Sequence, residues 1–131
     1  MSGARAVSPR PALRTAAALV LLTFALAASA TAHAVLVKSA PASRQLLSRA
    51  PDRVQLWFNE RLEPAFSTMS VWDAAGAQVD TGDVAVGADD AKGLSVSLKP
   101  LVAGAYTVRF RVLSVDGHIV ESSFAFTVKG P

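Results

Sequence analysis

Alternation of apolar and polar side chains is the feature that most limits the fold of this chain. In Val54-Gln55-Leu56-Trp57-Phe58, Leu94-Ser95-Val96-Ser97-Leu98 and Tyr106-Thr107-Val108-Arg109-Phe110-Arg111-Val112, every second residue is apolar. That is the pattern of a strand with one buried face, because successive side chains on a strand point to opposite sides. Strand character is read over 34–38, 54–58, 67–73, 77–79, 94–98, 105–113 and 122–129,. Turn chemistry separates the runs: Ala50-Pro51-Asp52, Asp73-Ala74-Ala75-Gly76, Asp89-Asp90-Ala91-Lys92-Gly93, Lys99-Pro100 and Ala103-Gly104,. No convincing helical period is present after residue 33. Residues 43–49 are expected to form at most one helical turn, and the polar stretch 80–92 a mobile loop. The expected fold is all-β, a Greek-key sandwich or small barrel of about seven antiparallel strands. Trp57, Phe58, Phe66, Trp72, Tyr106, Phe110, Phe124 and Phe126 are expected to be core aromatics.

The start of the chain has the three parts of an export signal. Arg5, Arg10 and Arg14 are the basic region, 16–28 is apolar except for Thr23, and Ala30-Thr31-Ala32 has the small residues of a cleavage site. The apolar run is short for a membrane helix, which needs ~20 residues. Residues 1–32 are therefore expected to be a signal peptide and 33–131 the exported domain, although Ala32-His33-Ala34 is a second pattern of the same kind. Removal of 1–32 leaves 99 of the 131 residues, enough for one small core,. There is no cysteine, so packing alone must stabilise the domain and thiolate chemistry is excluded,. The formal charge of +3 disappears with the signal's three arginines. A neutral domain without a basic cluster is not a nucleic-acid surface, nor does it favour a polybasic membrane-binding face.

Cleavage after Ala32 would make His33 the first residue. A terminal histidine offers a metal its free amine and its imidazole from one residue. The other histidine, His118, follows Asp116 by two positions in Ser114-Val115-Asp116-Gly117-His118, a spacing that lets a carboxylate and an imidazole converge on one point. Two nitrogens from His33, one from His118 and an oxygen from Asp116 would fill the four equatorial positions that copper(II) favours. Glu60, at the end of the run that starts at Val54, is a further candidate, either as a weak axial oxygen or as an acceptor orienting a ligand. Asp116-Gly117 also reads as an ordinary turn, and Glu60 as a surface carboxylate paired with Arg61.

In order along the chain, His33-Ala34-x-Leu36, Ser39-Ala40-Pro41-Ala42, Val54-x-Leu56-x-Phe58-x-Glu60-x-Leu62, Leu101-x-Ala103-Gly104-x-Tyr106-x-Val108 and Arg111-Val112-x-Ser114-x-Asp116-Gly117-His118 resemble the copper-resistance protein C (CopC) family. The resemblance implies a periplasmic or secreted β-sandwich of cupredoxin-like or immunoglobulin-like appearance. It implies one Cu(II) held by His33, Asp116 and His118 with Glu60 nearby, in a non-enzymatic protein for copper sequestration or transfer. Some relatives add a methionine-rich Cu(I) loop, for which this chain has only Met1 and Met69. A membrane copper permease (CopD-like) is expected to be a separate polypeptide. Two competing readings are a small copper-dependent oxidative enzyme and a metal-free adhesion sandwich.

Overall fold

The computed structural model describes residues 2–5 and 34–130, so the expected signal and His33 lie outside the described residues, save for residues 2–5, which carry no secondary structure. From Ala34 onward the alternating runs form strands: β1 (Leu36–Ala40), β2 (Leu46–Leu47), β3 (Arg53–Phe58), β4 (Thr68–Asp73), β5 (Ala85–Val86), β6 (Gly93–Ser97), β7 (Gly104–Leu113) and β8 (Ile119–Val128). They make two four-stranded sheets, ordered β1-β3-β6-β5 and β2-β8-β7-β4. Only β5 to β6 and β7 to β8 follow one another within a sheet. The remaining connections cross from one sheet to the other, which is how a sandwich closes two apolar faces on each other. Among the described residues, no helix is long and apolar enough to cross a membrane.

The alternating residues supply the core. Val54, Leu56 and Phe58 of β3 and Leu94 and Val96 of β6 face Met69, Val71, Tyr106, Val108, Phe110, Val112, Phe126 and Val128 of the other sheet. Each such side chain contributes ~1.5–3 kcal/mol by leaving water. Phe58 and Phe110 meet edge to face at 5.6 Å, and Tyr106 stacks on Phe126 at 5.5 Å,. The Tyr106 hydroxyl donates to the Val102 carbonyl at 2.6 Å, so this buried phenol keeps a polar partner.

Four local expectations need correction. Residues 77–79 form no strand: Trp72 bridges Gln78 once, and the Asp80 carboxylate takes the Val71 N–H at 2.8 Å, replacing the backbone acceptor that a longer ladder would supply. Residues 43–49 hold no helical turn but β2, which runs parallel to β8. The stretch 80–92 contains β5, and Asp83 fastens it by accepting from the Ser97 N–H at 2.8 Å and the Thr81 hydroxyl at 2.9 Å. Trp57, Trp72 and Phe66 are not core residues. The two tryptophans occupy outward positions of β3 and β4, where Lys38 and Arg109 lie over their rings at 4.9 and 5.5 Å,. Phe66 is 62 % exposed, in a short 3-10 turn at Pro64–Phe66.

Candidate metal centre

Three segments meet at one end of the sandwich. The start of β1 is tied to the residue after β3 in both directions: the Val35 N–H donates to Asn59 Oδ1 at 2.6 Å, and the Asn59 N–H donates to the Val35 carbonyl at 3.1 Å. From Asn59 the chain crosses to the other sheet. Arg61 accepts from the Val115 N–H at 2.9 Å, Leu62 bridges Ser114, and the Glu63 N–H donates to the Leu113 carbonyl at 2.8 Å. Residues 59–63 are thus a seam, with the entering chain on one side and the β7–β8 turn on the other.

That turn carries Asp116 and His118. The Ser114 N–H donates to the His118 carbonyl at 3.0 Å and the Gly117 N–H to the Ser114 carbonyl at 2.9 Å, closing a tight loop over Val115-Asp116-Gly117. Gly117 has φ of 91°, a conformation that glycine adopts without the steric cost of a Cβ. Within the loop Asp116 Oδ1 accepts from the His118 N–H at 3.2 Å and from the Ser114 hydroxyl. Its Oδ2 faces His118 Nδ1 at 3.1 Å, with the two side chains 30 % and 33 % exposed. The Ser114 hydroxyl holds the Asp116 carboxyl below the usual carboxylate range. Partial loss of water opposes that shift, and the N–H and imidazole of His118 add to it,.

The structure therefore brings Asp116 and His118 into contact. Glu60, half-buried, lies in the seam segment 59–63. Among the described residues, no three His, Asp or Glu side chains form a group that could hold a metal ion. Ala34, the residue that follows His33 in the sequence, is 3 % exposed and packed into the core. Two residues gain a role that their sequence pattern does not announce. Asn59 fastens the entering chain, and Ser114 bonds Asp116; the only sequence signal for Ser114 is a hydroxyl in the inward row that follows Tyr106, Val108, Phe110 and Val112.

The family model for the CopC domain matches residues 36–129. The chain belongs to the CopC family. Its β-sandwich is shared by the crystal structure of CopC from Methylosinus trichosporium OB3b, with 38 % identity and a TM-score of 0.70 over 75 % of this chain and 95 % of that one. PcoC of Escherichia coli, described as a methionine-rich copper resistance protein, is 33 % identical with a TM-score of 0.66, over 75 % of this chain and 100 % of that one. The copper transport protein CutJ of Bacillus subtilis is 32 % identical over 84 % of this chain, which spans only 20 % of CutJ's length.

Proposed function

We propose that processing exposes His33 as the N-terminus and that the resulting CopC-family protein binds one Cu(II) through the amine and imidazole of His33, the imidazole of His118 and the carboxylate of Asp116. The observation that carries this reading is the Asp116 Oδ2 to His118 Nδ1 distance of 3.1 Å, in the turn that borders the 59–63 seam, whose Asn59 anchors Val35. Two donors ~2.0 Å from one ion and at right angles to each other lie ~2.8 Å apart, so the pair needs little movement to share a tetragonal site. Glu60 is the outlying member, as a weak axial oxygen or as an acceptor for the bound imidazole or amine. The likeness to the copper transport protein CutJ and the copper resistance protein PcoC supports copper as the cargo.

A nitrogen and oxygen donor set favours Cu(II) over Cu(I). The chain has two methionines, of which Met69 is 3 % exposed within the core, so no thioether cluster is available for Cu(I). The role that follows is that of a carrier or buffer, not a catalyst, in the periplasm or outside the cell, passing copper to a membrane permease. The test is the intact mass of the exported protein together with Cu(II) competition titrations on its variants. A mass starting at His33 and one Cu(II) per chain are expected, with affinity falling most on replacement of His33, less for His118→Ala, less again for Asp116→Ala and least for Glu60→Gln. A mature chain starting at Val35, or unchanged affinity in His118→Ala, would overturn the proposal.

A further inference from the structure

Ser114 is fully buried, and by position it belongs to the core. Tyr106, Val108, Phe110 and Val112 are the inward residues of β7, and Ser114 is next in that row. Packing alone calls for an apolar side chain there, since a hydroxyl loses its water on burial. Its oxygen instead lies against Asp116 Oδ1 and 3.2 Å from the His118 carbonyl. A hydroxyl has one proton to donate, and the carboxylate is the stronger acceptor. With the His118 N–H on the same oxygen at 3.2 Å, Oδ1 is engaged twice from within the turn. Oδ2 is left as the oxygen that faces His118 Nδ1.

We infer that Ser114 is a positioning residue of the metal centre: it holds the Asp116 carboxylate in the one orientation that presents Oδ2 beside His118 Nδ1 as a two-donor edge. Rotation of a carboxylate about its terminal bond is otherwise soft, so an untethered Asp116 would spread its oxygens over several orientations. Ser114 is enclosed and acts on the ion only through Asp116. The inference rests on the copper reading above and extends it to a residue that is no ligand.

The experiment compares the processed protein with Ser114→Thr, Ser114→Val and Ser114→Ala, reading Cu(II) affinity by chelator competition and the Cu(II) electron paramagnetic resonance spectrum, with circular dichroism as the folding control. Thr and Val have nearly the same shape, so any cost of the added methyl is shared and the hydroxyl is the difference. Ser114→Thr should stay within about threefold of the wild type and keep its spectrum. Ser114→Val and Ser114→Ala should lose about 10–100-fold, the usual effect of removing a partner that orients a ligand, and show altered spectra. In an Asp116→Ala background, Ser114→Ala should cost nothing further. Matching affinity and spectra for the Thr and Val variants, or a full loss that persists without Asp116, would overturn the positioning role. Failure of the unsubstituted protein to bind Cu(II) would instead sink the copper reading itself, so the two failures are distinguishable.

Discussion

Asp80→Ala should destabilise the fold while leaving the metal centre intact. Asp80 is 5 % exposed and its carboxylate accepts from the Val71 N–H at 2.8 Å, the Gly82 N–H at 3.0 Å and Gln78 Nε2 at 3.0 Å. Val71 is fully buried, so water cannot replace the lost acceptor, and an unsatisfied buried donor costs ~1–3 kcal/mol. Gly82 and Gln78 are exposed and can turn to solvent, which adds ~1 kcal/mol at most. The sum of ~1–4 kcal/mol corresponds to a fall of ~4–30 °C in Tm for a domain of this size. Asp80→Asn keeps one carbonyl for Val71 and should lose ~1 kcal/mol. Asp80 bridges Leu98, whose N–H bonds the Asp52 carbonyl, and Asp52 precedes the end of β3 opposite Phe58. Cu(II) affinity at temperatures where the variant is folded should therefore not change. Thermal unfolding followed by circular dichroism checks the first half and chelator competition the second. A Tm within ~2 °C of the wild type would show that Asp80 does not supply the buried edge of β4 as reasoned.

Acid should affect the centre and the fold in different pH ranges. Copper competes with protons for its nitrogen donors, ordinary α-amines and imidazoles titrating at ~7.7–8.0 and ~6.5. The Asp116 carboxyl lies below the usual carboxylate range, so Cu(II) affinity should fall between pH 8 and 5 while Asp116 remains ionised; affinity that holds to pH 5 would contradict nitrogen ligation. Asp83, lowered to about 2 chiefly by its hydrogen bonds from Ser97, stabilises the fold in its charged form. That contribution is complete above the ordinary carboxylate pKa of ~3.9 and is lost as pH falls through the folded value. The Tm deficit of Asp83→Ala should therefore be constant near pH 6 and shrink between pH 4 and 2, as a pH series of melting curves would show.

Much of the sandwich is legible in the sequence because burial imposes a period of two. Val54, Leu56 and Phe58 face inward as read, and the same rule places Trp57 and Trp72 on the outer face, against a reading based on aromatic character alone. What escapes is pairing settled by partners far away in sequence. β2 exists because Leu46 and Leu47 lie beside Thr127 and Val128, and 77–79 fails as a strand because one buried carboxylate intercepts Val71. At the candidate centre, Asp-Gly announces the turn and its spacing brings Asp116 to His118. The hydroxyl of Ser114 falls in the inward row of β7, but its bond to Asp116 depends on the tight β7–β8 turn, and the clamp of Asn59 on Val35 depends on β1 pairing with β3.

The central claim, that Cu(II) is held jointly by the terminal residue His33 and the Asp116–His118 pair, is tested most directly by calorimetric titration of Cu(II) into the processed protein and into the same protein with one residue added before His33. The free-amine form should bind one equivalent, and the extended form should bind at least about tenfold more weakly because it loses a nitrogen and a chelate ring. Equal affinity in the two forms would contradict the account.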